Sequence, residues 1–379
     1  MAKLKLSPPT FRQPKRIIHA RGALRTIASL EDLDKTAFFI SGSPQVHTLL
    51  KEMLAHRSLS LGMLHSIFKG PGEPTRAIVD RGAQFLSERQ YARIVAIGGG
   101  SVLDWCRLAW AEQNGLLPRN LKSPLTLLDE GESRPQFYLV PTTCATGAEA
   151  ASVAVLTETN GAKVPVISDL FLADCVILDG RFLESCSPTL LADSLADLLS
   201  HAIESFVSLV SSSFADATAL AALQIALEQE ATLHVQDRSQ RLMEAAFLAG
   251  LAASNCSVGV VHAFAHAIAR LGIPHGHANA LALIPGVRLN RDVPRMAELA
   301  VRCGVGDVNA LIENLDSTLR AATAPADNDL AERLANTRLR NEILDAVAAD
   351  ACLRTNPKRL TREGLDGFLD DVVRRMRVS

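Results

Sequence analysis

Two pairs of residues in the chain have a spacing that suits metal binding. One is an acid with a histidine, and the other is two histidines. Asp197 and His201 are four residues apart, and so are His262 and His266. Residues four apart lie on the same face of an α-helix, so each pair projects from one side of its helix. The surrounding segments are rich in apolar and small residues, which indicates burial. A buried carboxylate beside an imidazole needs compensation, and a divalent cation supplies it.

Four of the ten histidines lie close together, at positions 262, 266, 275 and 277. One carboxylate with three imidazoles is a borderline ligand set that suits Fe²⁺ or Zn²⁺, with Ni²⁺ as a further option. The residues alone leave two other interpretations open. Asp197 could simply hydrogen-bond a histidine, with the remaining histidines unrelated to it. Asp193, one helical turn earlier, competes with Asp197 as a ligand.

A glycine-rich run at 98–101 (GGGS) follows the apolar segment RIVAI. A strand that enters a helix through such a turn brings backbone N–H groups and the positive end of the helix dipole to a pyrophosphate. The run is not GxGxxG, and alone it is equally typical of a turn that needs glycine backbone freedom. A second turn at 141–149 carries the hydroxyls of Thr142 and Thr143. They would bond a ribose or phosphate, or cap the turn.

The bulk composition is that of a globular chain. Its 379 residues are 48% hydrophobic, which allows a sizeable core and suggests two domains. The net charge is −2, with lysines and arginines spread along the chain, so we expect no nucleic-acid partner. No apolar run approaches the ~18 residues of a membrane span, and the basic start lacks the apolar segment of a secretory signal. We therefore expect a cytoplasmic protein with no membrane partner.

The chain changes character near residue 183. Before that point, short apolar runs alternate with helical patterns, which predicts an α/β domain over 1–183 with a parallel, Rossmann-like sheet. The predicted strands are 36–41, 93–99, 137–143 and 175–179, and the predicted helices include 44–56 and 74–88. After residue 184 the pattern predicts an all-helical domain over 184–379. Its helical segments begin at Ser187 and continue through 213–232, 239–271, 293–302, 330–351 and 361–376.

In this order, the motifs resemble the iron-containing (group III) alcohol dehydrogenase family. The resemblance covers nearly the whole chain. It rests on the GGGS turn, the PTT turn at 141–143, and the stretches 197–204 (DLLSHAIE), 262–266 (HAFAH), 274–280 (PHGHANA) and 355–357 (TNP). It implies the architecture shared with dehydroquinate synthase: a nucleotide-binding α/β domain, a helical domain, and an active site in the cleft between them.

The resemblance also implies roles for individual residues. It makes Asp197, His201, His262 and His275 the metal ligands. It assigns the cofactor pyrophosphate to Gly99, Gly100 and Ser101 with Asp104 in the same turn, the nucleoside to Thr142 and Thr143, and the nicotinamide side to Lys163. His266 would lie near the nicotinamide, and either His266 or His277 would relay a proton to solvent.

Two departures from the family pattern carry expectations of their own. Many relatives that use NAD have an acidic residue where this chain has Gly42, flanked by Ser41 and Ser43. Without a carboxylate to bond the ribose hydroxyls and repel a 2′-phosphate, we expect NADPH to be favoured over NADH. The spacing from His262 to His275 is one residue shorter than expected, which makes His275 the ligand to check first.

These observations predict a metal-dependent, NAD(P)-linked alcohol dehydrogenase or aldehyde reductase. The metal would polarise the substrate oxygen while hydride passes between the substrate carbon and the nicotinamide. The expected substrate is a small alcohol or aldehyde, with a small acidic aldehyde such as phosphonoacetaldehyde as the alternative, and the expected assembly is a homodimer. Two further alternatives are a lyase like dehydroquinate synthase and a non-catalytic protein that binds metal or nucleotide.

Overall fold

The computed structural model describes residues 10–122, 124–127, 134–184, 186–228, 235–321 and 328–378. The strands are β1 (Ile17–His19), β2 (Thr36–Ser41), β3 (Ser66–Lys69), β4 (Arg93–Gly98), β5 (Leu125–Thr126), β6 (Gln136–Pro141), β7 (Val153–Thr157), β8 (Lys163–Ile167) and β9 (Cys175–Leu178). The helices of the first half are α1 (Arg25–Ala28), α2 (Pro44–Ala55), α3 (Arg76–Ser87) and α4 (Gly100–Gln113). Those of the second half are α5 (Pro188–Val207), α6 (Ser213–Leu227), α7 (Val235–Cys256), α8 (Val260–Ile268), α9 (His275–Leu289), α10 (Pro294–Arg302), α11 (Val308–Ala321), α12 (Asn328–Leu334), α13 (Thr337–Ala349) and α14 (Arg362–Val378).

The first half is built on a six-stranded parallel sheet with the order β1-β9-β6-β4-β2-β3. Each of the four predicted strands is confirmed, β2 with the predicted bounds and the others within two residues at either end. In β2 every residue except the last is buried, which is typical of a parallel strand covered on both faces. The predicted α/β architecture is therefore confirmed.

A second, three-stranded sheet in the order β5-β8-β7 was not predicted. Its strands are short, and β8 contains Pro165 opposite Val155 of the antiparallel strand β7. Proline lacks a backbone donor and normally argues against a strand, so no clear local signal predicts β8. Burial alternates along β7 and β8, as expected for strands that cover the core with one face only.

Within the described residues, the chain from Pro188 onward contains helices and no strand, as predicted. The predicted start of α5 is also confirmed, because the Ser187 side chain accepts a hydrogen bond from the N–H of Leu190 and Pro188 occupies the first turn. The helices α9 and α11 were missed. Within α9 the sequence holds Gly286 and an internal proline, Pro285, which weaken a helical signal.

The prediction of one helical segment over 239–271 is wrong. The structure divides it into α7 and α8, which are bent by 95°. Ser257 has a φ of 64°, in the left-handed region, and ends α7. Gly259 follows, and a Cβ there would lie 2.9 Å from both Glu204 Oε1 and Asn356 Oδ1. The bend turns α8 toward α5 and so brings His262 close to Asp197 and His201.

Among the described helices, none is individually long and apolar enough to cross a membrane. The helix α7 and the segment Val260–Leu271 meet the length and composition criteria only as a pair, across their 95° bend. Among the described residues, every strand ends before residue 179, and every helix of 15 or more residues follows it. The exact division into domains at 183 and 184 stays a prediction.

The turn after β6 packs directly on α7 through two glycines. Gly147 has a φ of 58°, and a Cβ built on Gly250 would lie 2.3 Å from the Gly147 Cα. Neither backbone can move without disturbing the strand or the helix that carries it. This contact therefore fixes the distance between the sheet and the helical half at the point where the predicted cofactor turn lies.

We predict that Gly250→Ala lowers the free energy of unfolding by roughly 1–3 kcal/mol, because the added methyl group overpacks this contact. Gly367→Ala is the matched control, since nothing lies within 4 Å of a Cβ at that position in α14. It should raise stability by about 0.5–1 kcal/mol through helix propensity alone. Chemical denaturation measures both, and equal stability of the two variants would contradict the close packing.

Candidate metal centre and cofactor-binding turns

Three helices bring three of the four predicted ligands, Asp197, His262 and His275, within 4.8 Å of one another and place His201 beside His262. Helix α5 supplies Asp197 and His201, α8 supplies His262, and α9 begins at His275. The Asp197 Oδ1 atom lies 3.5 Å from His262 Nε2 and 3.6 Å from His275 Nε2. The Nε2 atoms of His201 and His262 are 3.1 Å apart. Asp197 and His262 are almost completely buried, with exposed fractions of 1% and 2%.

These separations fit a shared cation. Two donors that are each about 2.0–2.2 Å from one tetrahedral ion lie about 3.3–3.6 Å from each other. The distances from Asp197 Oδ1 to His262 and His275 are in this range and are longer than those of a charged hydrogen bond. The alternative of one Asp–His hydrogen bond with unrelated histidines therefore fits poorly. The donor set, one carboxylate and three imidazoles, fits a divalent metal ion.

Hydrogen bonds to neighbouring groups fix the orientation of three of these ligands, Asp197, His201 and His262. The Glu204 Oε2 atom lies 2.7 Å from His262 Nδ1, and His201 Nδ1 lies 2.9 Å from the Asp197 carbonyl oxygen. The imidazoles of His201 and His262 can therefore donate from Nδ1 and present Nε2 to the centre of the cluster. The Asn279 side-chain amide donates to Asp197 Oδ1 over 2.7 Å. Such contacts select the tautomer and hold the ring orientation at metal sites.

Sequence reasoning did not single out Glu204 or Asn279. Each does have a positional signal, because Glu204 is one turn after His201 and Asn279 is one turn after His275. Glu204 also accepts hydrogen bonds from the backbone N–H groups of Val261 and His262, at 2.7 and 3.3 Å. Its carboxylate thus caps the first turn of α8, which no sequence pattern indicated because the two segments are 57 residues apart.

The electrostatics of the cluster favour one anion, two neutral imidazoles and, without a metal ion, one protonated imidazole. Burial lowers the pKa of His201 to about 4 and that of His275 to about 3. Burial acts to raise the pKa of Asp197, but the charges of His201 and His275 outweigh it and hold that pKa well below its usual value. For His262, burial is outweighed by hydrogen bonds to Asp197 and Glu204, which raise its pKa to about 9. A metal ion would displace that proton.

The other two predicted histidines lie beside the cluster. His266 is 40% exposed, its Nδ1 lies 3.0 Å from Asp350 Oδ2, and its ring stacks on His275 with centroids 5.5 Å apart. The Nδ1 atom of His277 lies 3.4 Å from Asp193 Oδ1. Asp193 therefore faces His277, and Asp197 is the carboxylate at the centre of the cluster.

The two predicted cofactor turns meet at one edge of the large sheet. Strands β4 and β6 are neighbours, with Gly98 paired to Pro141, so the turns that follow them lie side by side. The Thr142 N–H donates to the Gly98 carbonyl oxygen over 3.1 Å. A Cβ on Gly99 would lie 3.6 Å from Thr143 Oγ1, so these residues face each other. Ligands bind at such carboxyl edges of parallel strands.

Asp104 and Lys163 make contacts within the protein. The two Asp104 oxygens accept hydrogen bonds from Arg107, at 2.5 Å, and from the Val155 N–H, at 2.9 Å, which ties α4 to β7. The Lys163 ammonium pairs with Glu73 over 2.6 Å. Both residues therefore have a structural role in this conformation, and their contact with a cofactor stays a prediction.

Lys69, at the end of β3, is a cation that sequence reasoning missed. It is only 1% exposed, and burial lowers its pKa. Its carbonyl oxygen accepts the Gly42 N–H over 2.8 Å, and its Nζ donates to Ser101 Oγ over 3.3 Å and to the carbonyl of Gly72. The side chain thus spans from the turn at Gly42 to the glycine-rich turn. The strand over 66–69 was not predicted, so nothing indicated this placement.

Comparisons with known proteins agree with this site. The family model for iron-containing alcohol dehydrogenase matches residues 14–180, and that for the C-terminal region of the same family matches 191–373. The chain is 32% identical to the probable alcohol dehydrogenase EutG of Salmonella typhimurium over 305 residues, covering 77% of this chain and 75% of that protein.

Two further matches extend over nearly the whole chain. The NADPH-dependent butanol dehydrogenase of Clostridium saccharobutylicum is 26% identical over 380 residues, covering 96% of this chain and 97% of that protein. The structure of an iron-containing alcohol dehydrogenase from Thermococcus thioreducens superposes with a TM-score of 0.82 at 22% identity, covering 98% of this chain and all of that one. This likeness confirms the fold.

We predict that His275→Ala loses its bound metal ion, whereas His277→Ala keeps it. Loss of a direct ligand should weaken metal affinity by more than the roughly 10–100-fold that outer contacts contribute. Elemental analysis after gel filtration, on protein purified without chelators, measures the bound metal. A full equivalent of metal in His275→Ala and none in His277→Ala would reverse the assignment.

Proposed function

The chain belongs to the iron-containing alcohol dehydrogenase family, whose members are oxidoreductases acting on CH–OH groups, and we propose that it reduces small aldehydes with NADPH at a single divalent metal centre. The observation that supports this most strongly is Asp197 Oδ1, a buried carboxylate oxygen that faces the Nε2 atoms of His262 and His275. We propose Fe²⁺ as the resident ion, with Zn²⁺ and Ni²⁺ as the alternatives that this donor set accepts.

When bound, the metal ion supplies Lewis-acid polarisation of the substrate oxygen and the nicotinamide supplies or accepts the hydride. The residues of the chain hold both in place. Glu204 fixes the His262 ring, Asn279 fixes the Asp197 carboxylate, and the backbone of α5 fixes His201. A ligand set held this rigidly needs little reorganisation during the reaction, which lowers the barrier.

We propose His266 as the residue that exchanges the proton with solvent. Its Nδ1 faces the Asp350 carboxylate at 3.0 Å, which leaves Nε2 as the nitrogen that takes up or releases a proton. Its 40% exposure gives that proton a route to water, and its ring lies against the ligand His275. Imidazole is the side chain that most often performs such proton exchange in enzymes. His277, paired with Asp193, is the second candidate.

The preference for NADPH is supported by two features at the end of β2 and β3. Gly42 offers no carboxylate that would repel a 2′-phosphate, and the Lys69 ammonium is buried between that turn and Ser101. Among the described residues, no carboxylate forms an ion pair with the buried Lys69 ammonium, although the charge of Glu73 acts on it, so a bound phosphate would supply a direct counter-charge. The Clostridium saccharobutylicum relative is named as NADPH-dependent.

The remaining proposals concern substrate, assembly and location. The relatives named as alcohol dehydrogenases support a small alcohol or aldehyde as substrate, and the small acidic aldehyde stays an alternative within the same reaction. Family membership argues against the lyase and the non-catalytic protein. We propose that the protein is cytoplasmic and assembles as a homodimer. Light scattering tests the dimer directly.

The activity itself is tested with a panel of small aldehydes and NADPH. We predict that Asp197→Asn lowers turnover at least about 100-fold, because it removes the anionic ligand and with it several kcal/mol of Lewis-acid stabilisation. Asp193→Asn, one turn earlier on the same helix, is the matched control and should keep its bound metal. Aldehyde-dependent NADPH oxidation that persists undiminished in Asp197→Asn would contradict the metal mechanism.

For the cofactor, we predict a higher kcat/KM with NADPH than with NADH. Lys69→Met should weaken NADPH binding by roughly 10–100-fold, since a hydrogen bond to a charged group contributes about 1.5–3 kcal/mol, and should weaken NADH binding less. Cofactor fluorescence measures both affinities without turnover. A strong NADH preference in the natural chain would contradict the argument from Gly42. Equal losses of NADPH and NADH affinity in Lys69→Met would indicate that Lys69 contacts the pyrophosphate, which both cofactors share.

A further inference from the structure

A second cluster of metal-ligating side chains lies beside the first. His266, Asp350 and Cys352 each offer one ligand atom, and these three atoms all lie within 4.8 Å of one another. His266 is exposed, and the other two are half-buried, so the cluster is open to solvent. Neither Asp350 nor Cys352 belongs to the centre around Asp197, and the two clusters share no residue.

The backbone holds this cluster in position. Asp350 caps the short helical turn at 351–354, with its Oδ1 atom accepting the Cys352 N–H over 2.8 Å. The other oxygen, Oδ2, lies 3.0 Å from His266 Nδ1. His266 is in turn placed by the last turn of α8 and by its stacking on His275. The carboxylate, the imidazole and the thiol therefore converge without any rearrangement of the main chain.

The donor set differs chemically from that of the first centre. A nitrogen, an oxygen and a sulfur with a fourth position open to water suit Zn²⁺ and similar borderline ions. The centre around Asp197 offers only nitrogen and oxygen donors. Three ligands of mixed type at a solvent-open position should bind an ion less tightly than four ligands at a buried one.

We propose that His266, Asp350 and Cys352 form a second, weaker metal site that takes up Zn²⁺ or a similar divalent ion after the first centre is filled. The Cys352 thiol releases its proton to solvent as the sulfur–metal bond forms. If His266 exchanges protons as proposed above, an ion at this site restrains that residue and lowers turnover. The second site would then inhibit the enzyme when zinc is in excess.

The site is tested by titrating Co²⁺ into the full-length protein that already holds its resident ion. A thiolate bound to Co²⁺ gives an intense charge-transfer absorption, and the nitrogen and oxygen donors of the first centre give none. We expect this band to grow to saturation with one further equivalent of Co²⁺. We also expect it to be absent from Cys352→Ser, which retains the resident ion.

Cys303→Ser is the matched control, because Cys303 is also a half-buried free cysteine but lies at the end of α10. It should keep the band. Inhibition by Zn²⁺ should weaken at least about tenfold in Cys352→Ser, since even the outer contacts of a metal site contribute roughly 10–100-fold to affinity. No band in the natural protein at saturating Co²⁺, or a band that persists in Cys352→Ser, would overturn the proposal. Neither result would affect the proposed reaction at the first centre.

Discussion

The buried carboxylate of Glu204 connects the main features of the helical half. It accepts the N–H groups of Val261 and His262 at the start of α8 and also faces His262 Nδ1 at 2.7 Å. One side chain therefore caps a helix, compensates the positive end of its dipole and orients a metal ligand. Without it, the first turn of α8 would carry buried donors with no acceptor.

The sharp bend between α7 and α8 allows the start of α8 to contact Glu204. Gly259 leaves space for the Glu204 carboxylate, which a Cβ would approach to 2.9 Å, and Ser257 takes a left-handed conformation to reverse the chain. A straight helix through this region would carry His262 away from α5. Local backbone strain at Ser257 is thus offset by the hydrogen bonds that the bend allows, as is common at functional sites.

The metal centre and the cofactor turns belong to different layers of the fold, and close backbone contacts join them. Gly147, in the turn after β6, touches Gly250 of α7. Each of these two layers also carries a buried charge. A cation, Lys69, lies beside the glycine-rich turn, and an anion, Asp197, lies among the imidazoles. The two halves therefore offer complementary charges to an anionic cofactor and a cationic metal.

The sequence by itself determined the parallel sheet, the helical second half and the ligand pairs, because these depend on periodicities within single elements. Asp197 and His201 are neighbours through helix geometry alone, and β2 is recognisable from its apolar run. Only the tertiary structure determines which residues from other elements contact these pairs and strands. Glu204 is distant in sequence from His262, as Lys69 is from Ser101, and the small sheet with Pro165 has no strong local signal. Contacts between separate elements depend on how the chain turns between them, and no local pattern records the φ of Ser257.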